Sequence, residues 1–199
     1  YIAIPGQPDF NYLQLATVNG EVIQLTHYLD MSANIALVSF QREDESGAWV
    51  ELAQVPAITQ TLTYNDYTVD VHSRSYRYRV QVIDSCFQLG VISNTARSIL
   101  LNVQMNDVEK LNYLNWNSYQ DFDGSILGYA IYRGIDGIFS GLPIASVSSG
   151  QFTFEDDVYN VISTGKICYY VEAIEAINSF GFAEMSKSNI TCIVQEPTI

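Results

Sequence analysis

Along the chain, apolar residues recur at every second position in short runs, as in Ile23-Gln-Leu25-Thr-His27 and Tyr78-Arg-Val80-Gln-Val82. The runs are rich in Val, Ile, Tyr, Phe and Thr and are separated by Gly, Asn, Asp, Ser or Pro, the pattern of half-buried strands joined by turns. No window of about 12 residues sustains helical spacing, so no helix longer than a turn is expected. Strands are expected over residues 11–18, 21–29, 33–42, 48–55, 59–64, 74–84 and 91–98, then over 99–106, 110–117, 127–134, 142–148, 151–155, 166–176 and 184–195.

The second set repeats the first at an offset of about 90 residues. Ile23-Gln-Leu25-Thr-His27 aligns with Asn112-Tyr-Leu114-Asn-Trp116, and Glu51-Leu-Ala-Gln-Val55 with Pro143-Ile-Ala-Ser-Val147. Leu62-Thr-Tyr64-Asn-Asp66 aligns with Phe152-Thr-Phe154-Glu-Asp156, Tyr78-Arg-Val80 with Tyr169-Tyr-Val171, and Ser93-Asn94 with Ser188-Asn189. The expectation is an all-β chain of two tandem seven-stranded immunoglobulin-like sandwiches, one over 1–98 and one over 99–199 with a short C-terminal linker. Between them, Thr95 runs to Val103 without Gly or Pro, so a continuous strand is expected to join the modules into a stiff rod.

Composition narrows the function. With 22 acidic residues against 9 basic, the net charge of −13 repels phosphate backbones, and nucleic acid is excluded as a partner. No apolar run reaches the roughly 18 residues of a membrane-spanning helix, so no membrane insertion is expected. Two histidines and three widely spaced cysteines offer no zinc spacing and no Cys/His nucleophile, and neither a metal nor another cofactor is expected. The first residue is Tyr, which reads as an internal piece of a longer protein.

A strand with Leu114-Asn-Trp116, a strand Tyr129-Ala-Ile-Tyr-Arg133, and Tyr169-Tyr-Val171-Glu-Ala173 leading to Ser188-Asn189 resemble, over nearly the whole chain, a tandem of fibronectin type III modules. More narrowly, Tyr76 to Cys86, Cys168-Tyr-Tyr-Val171, Ser188-Asn-Ile-Thr-Cys192 and the closing Gln195-Glu-Pro197 resemble the region preceding the sorting domain in large proteins exported by the type IX secretion system, several of them gliding-motility-associated surface proteins. The resemblance implies an extracellular or cell-surface, non-catalytic spacer or adhesion segment. Its implied partners are neighbouring domains of the same polypeptide, outer-membrane or secretion-system proteins, and surface glycans. Alternatives are a glycan- or protein-binding module and an accessory region of a secreted hydrolase.

Local chemistry adds candidates. Tyr169, Val171 and Ala173 form the apolar side of their strand, which turns Cys168 to the other side. A bridge from Cys168 to Cys192 would place the hairpin turn near residue 180, within Asn178-Ser-Phe-Gly-Phe182, and suits an exported protein; the alternative is two unpaired thiols. Cys86 is left over, either as a free thiol or for pairing with a module outside the chain.

In the repeat, Arg77 and Arg97 occupy the places of Cys168 and Cys192 and should face one another, with Glu43 or Glu51 between them. With Arg74 and Arg79 they form either a solvated salt-bridge ladder or a patch for an anion or acidic glycan. His27 aligns with Trp116 and reads as a packed histidine, whereas His72, in a loop beside Ser73, lacks the signs of a triad. Asp121-Phe-Asp123-Gly124 opens like a calcium loop but lacks the downstream ligands and reads as a solvated turn, as do Asp156-Asp157 and Asp44-Glu45. Trp49, Tyr67, Tyr119, Phe122, Phe139, Phe180 and Phe182 fall at loops or strand ends. They serve either as ligand platforms or as core and inter-module packing, with Phe180 and Phe182 the first candidates for a binding patch.

Overall fold

The computed structural model describes residues 7–161 and 165–194. Alternation of apolar and polar residues produces β1 (Asn11–Asn19), β2 (Val22–Leu29), β3 (Ile35–Glu43), β4 (Trp49–Pro56), β5 (Thr61–Asp66), β6 (Arg77–Asp84), β7 (Leu89–Ile92) and β8 (Ala96–Arg97). The second half repeats them as β9 (Leu101–Asn106), β10 (Leu111–Trp116), β11 (Ile126–Ile135), β12 (Ile138–Phe139), β13 (Ala145–Ser148), β14 (Thr153–Asp157), β15 (Lys166–Glu175), β16 (Met185–Lys187) and β17 (Thr191–Val194). The expected elements are present, and no helix forms among the described residues.

Sheets β1-β2-β5 and β4-β3-β6-β7, with β8 on β6, close over one apolar core; β9-β10-β14 and β13-β11-β15-β16, with β17 on β15, close over the other. This three-plus-four antiparallel arrangement is a fibronectin type III-like, immunoglobulin-like sandwich, made twice. Registers repeat with the sequence: Leu25 faces Tyr64 as Leu114 faces Phe154, and His27 faces Leu62 while the Trp116 N–H donates to the Phe152 carbonyl at 3.0 Å. Leu13, Ile23, Leu25, Phe40 and Tyr78 fill the first core; Leu114, Tyr129, Ile131, Tyr169 and Val171 fill the second. Fully burying each such side chain contributes about 1.5–3 kcal/mol.

Each core is fastened at its rim by the same three residue types. Arg42 Nη1 lies 2.5 Å from the buried Asp66 carboxylate, which also accepts the Tyr78 hydroxyl at 3.0 Å. Likewise Arg133 pairs with both oxygens of Asp156 at 2.8 and 2.9 Å, and Tyr169 donates to Asp156 at 2.6 Å. Burial is the main reason both phenols are held well above their ordinary pKa, so they remain donors at all physiological pH.

Two expectations are corrected and one element is added. The last strand of each module is not one run but two, β7 with β8 and β16 with β17, broken at Ser93-Asn94 and Ser188-Asn189. Side chains replace the ladder there. The Ser93 and Ser188 hydroxyls accept the N–H of Val80 at 2.8 Å and of Val171 at 3.0 Å. Asn94 accepts the Leu13 N–H at 2.8 Å and donates to the Leu13 carbonyl at 3.0 Å; Asn189 does the same with Leu101 at 2.7 and 3.1 Å. Each Ser-Asn pair therefore ties the last strand to both sheets of its sandwich.

The joining strand is also interrupted. β8 ends at Arg97 and β9 begins at Leu101, because β8 pairs with β6 in one sandwich and β9 with β10 in the other, and residues 98–100 have no ladder between them. Asn117 holds the gap instead, accepting the Leu100 N–H at 2.8 Å and donating to the Ser98 carbonyl at 3.0 Å. Finally, β11 gains a small hairpin with β12 over Asp136-Gly137, both at positive φ as a tight primed turn requires.

Candidate functional site

Two regions gather the residues that sequence singled out: the outer face of the β3-β6 sheet and the junction between modules. On the outer face, Arg77 stands opposite Arg97 across β6 and β8. Glu43 binds Arg77 through both oxygens at 2.9 and 2.8 Å, whereas Glu51 turns away to Ser39 and Gln54, so Glu43 is the neutralising acid. Arg97 donates from Nε to Ser75 at 2.9 Å, and Arg74 pairs with Glu45 at 2.9 Å while lying 4.8 Å from the Tyr76 ring centre. Arg79 donates to Gln41 at 2.7 Å and stacks 4.3 Å over Trp49; burial lowers its pKa. A hollow of about 240 Å³ opens beside Arg74, Arg77 and Arg97, with Glu43 and Asp44 on its wall.

In the second module the equivalent cross-strand position holds a Cys168–Cys192 disulfide. The hairpin turn falls where the spacing placed it: Asn178 and Phe182 are hydrogen bonded across the loop, and Gly181 takes a positive φ of 85°. Cys86 is exposed and unbridged in the loop after β6.

The junction absorbs most of the loop aromatics. Phe180 packs at 5.1, 5.2 and 5.4 Å from the rings of Phe10, Tyr12 and Tyr28, and Phe182 at 5.3 Å from Tyr28. Tyr119 takes the packing reading: it is 2% exposed, its hydroxyl accepts the Ala16 N–H at 3.0 Å and its ring lies 4.2 Å from Phe122. Phe180 and Phe182 are thus half-buried between modules rather than displayed as a platform. Of the aromatics named from sequence, Tyr67 is openly exposed, at 72%.

Polar contacts complete the seam. The buried Glu175 carboxylate accepts the Gly124 N–H at 2.8 Å, the Glu184 N–H at 2.9 Å and, more distantly, the Tyr12 hydroxyl at 3.5 Å. Tyr12 in turn accepts the Asp123 N–H at 2.8 Å, and burial raises its pKa. Asp123 itself accepts the Ser179 N–H at 2.9 Å and the Ser179 hydroxyl, so this acid of the calcium-like sequence is engaged by protein. Ser186 donates to the Ala16 carbonyl at 2.9 Å, Lys187 N–H to the Thr17 hydroxyl at 2.9 Å, and Arg97 N–H to the Gln120 carbonyl.

These contacts run along most of β1, from Phe10 just before it to Thr17. The modules therefore lie flank to flank along β1 rather than end to end, and β16 covers the outer edge of β1. This corrects the expected rod. An edge strand offers unpaired N–H and C=O groups, and covering it satisfies them.

His27 is fully buried, with Nε2 at 2.5 Å from Asn11 Oδ1 and its ring edge-on to Phe40 at 6.2 Å. Burial pushes its pKa down to about 3. His72 sits at the seam, 3.6 Å from Glu21 and 3.5 Å from Asn189, while the neighbouring Ser73 hydroxyl donates to the Asp70 carbonyl. Sequence reasoning missed Asn94, Asn117 and Asn189 as functional groups, although the repeated Ser-Asn was the available signal. The Gln195-Glu-Pro197 match lies outside the described residues.

Compared with known proteins, the chain matches no family model and no curated protein. Among solved structures it is similar to the crystal structure of chicken CNTN1 FN1-FN3 domains, at 15% identity and a TM-score of 0.38, over 97% of this chain and 68% of that one.

Proposed function

We propose that the two modules form a non-catalytic spacer of a large secreted or cell-surface protein, which holds neighbouring domains at a fixed relative orientation. The observation that carries this reading is the seam itself: Phe180 and Phe182 seated among Phe10, Tyr12 and Tyr28, with Tyr119 bonded to the backbone of β1. Such a packed interface resists the hinge motion expected of tandem domains on a free linker. The Cys168–Cys192 bridge supports an oxidising, exported setting. Resemblance of the Cys168 and Cys192 segments supports the finer reading, a type IX secretion substrate of the gliding-motility or adhesin type, with secretion-system or outer-membrane proteins as partners.

Solution scattering tests the spacer. The wild-type chain is expected to fit one orientation of the modules, and a Phe180→Ala, Phe182→Ala variant to require several. A wild-type profile that itself needs several orientations overturns the reading. For the export route, surface exposure of the full-length protein should disappear when the type IX apparatus is disabled; retained exposure rejects that route.

A second reading, an acidic ligand on the arginine face, is favoured by Arg79 and Arg97, which have no ion-pair partner among the described residues. Sulfated oligosaccharide binding that is lost in Arg79→Ala, Arg97→Ala would establish it.

A further inference from the structure

Where the modules meet, His72 stands between two hollows. One, of about 320 Å³, has Asn19 and Glu21 of the first module on one wall and Lys187 of the second on the other. The second, of about 440 Å³, is floored by Asn102, Gln104 and Asn115, with Asn189 and Thr191 behind them. Both hollows are composite, because each takes residues from the two sandwiches. Volumes of this size are those of small-molecule sites.

The floor is the solvent-facing side of two paired strands, and it is made of primary amides. Asn102 lies directly opposite Asn115 on β9 and β10, and Gln104, two residues on, shares their face. Asn is disfavoured in strands, where it neither packs well nor satisfies the ladder with its side chain. Here the three amides make no side-chain hydrogen bond among the described residues, although Asn189 beside them is fully committed to Leu101 and Thr191. All three are exposed, so their donors and acceptors are open to a ligand lying in the hollow.

From this arrangement we propose that the seam around His72 binds a short neutral oligosaccharide. Each primary amide presents two N–H donors and a carbonyl acceptor, which matches a pair of adjacent sugar hydroxyls that both donate and accept. The floor carries no formal charge. An anionic ligand would meet Glu21 and a chain of net charge −13, so the neutral class is favoured. His72, 48% exposed in its side chain, reaches the site from the opposite module, where its ring nitrogens lie 3.6 Å from Glu21 and 3.5 Å from Asn189, long contacts that a sugar hydroxyl would replace. The inference adds a ligand to the spacer reading and does not depend on it.

The test is an NMR titration of the intact chain with maltotriose, cellotriose, mannotriose and chitotriose in turn, following the side-chain amide resonances of Asn102, Gln104 and Asn115. At least one sugar should shift these resonances in a saturable way. Asn102→Ser with Asn115→Ser, and separately His72→Ala, should weaken that sugar about tenfold, the loss of one or two hydrogen bonds, with melting temperature unchanged. Three results would each overturn the proposal: no shift with any of the four sugars at millimolar concentration, binding undiminished in both variants, or shifts confined to the arginine face. A Ser/Thr-rich peptide that moves the same amides while no sugar does would replace the ligand class.

Discussion

Arg77 faces Arg97 across β6 and β8 in the same register in which Cys168 faces Cys192 across β15 and β17. One position of the repeat thus holds a covalent bridge in one module and two like charges in the other. Like charges directly opposite are unfavourable, and the first module offsets them with Glu43 on Arg77 and Ser75 on Arg97.

The bridge closes a loop over a sequence separation of 24. Cys168→Ser with Cys192→Ser should lower stability by about 3–4 kcal/mol. The converse exchange, Arg77→Cys with Arg97→Cys, should form a bridge and raise stability by about 3 kcal/mol. Thiol counting under non-reducing conditions, followed by urea denaturation, checks both; free thiols at both introduced positions would contradict the shared register.

The Arg-Asp-Tyr fastening predicts an unequal response among carboxylates. Asp66→Asn leaves Arg42 without its buried counter-ion and should cost about 3 kcal/mol, and Asp156→Asn should do the same through Arg133. Asp107→Asn, at a half-exposed acid 3.8 Å from Lys110, should change stability by less than about 1 kcal/mol. Denaturant midpoints for the three variants decide it.

Replacement of Asn94 or Asn189 by Ala removes both backbone bonds to Leu13 or Leu101. Each should cost about 2 kcal/mol, since a buried N–H and C=O are left unpaired. Amide hydrogen exchange at Leu13 or Leu101 should accelerate in the corresponding variant more than at Leu25 or Leu114.

The pH response should carry the mark of His27. Folded, its pKa is pushed down to about 3 from an ordinary 6.5, so below pH 6.5 the unfolded chain takes up a proton that the folded chain refuses. Stability from this group is full above pH 6.5 and declines as pH falls toward 3, by about 1.4 kcal/mol per unit. Denaturation at pH 6.5 and pH 5 should show a loss about 2 kcal/mol larger in wild type than in His27→Gln. Equal losses would mean that His27 is protonated in the folded chain.

Alternation of side chains determined the strands, and the repeat determined two sandwiches, because a period of two has one way to bury its apolar face and an aligned copy must bury it the same way. Cys168 and Cys192 were legible for the same reason: strand register follows from hairpin spacing alone. What the loops do was not legible. Phe180 and Phe182 were open to two readings, a platform or packing between modules, and the flank-to-flank seam decided for packing. The uninterrupted strand expected from Thr95 to Val103 was undone by competing sheets, since residues 98–100 pass from one ladder to another. His72 meets Asn102 and Asn115 only because two separate cores are docked along β1, a relationship between distant surfaces that local pattern does not encode.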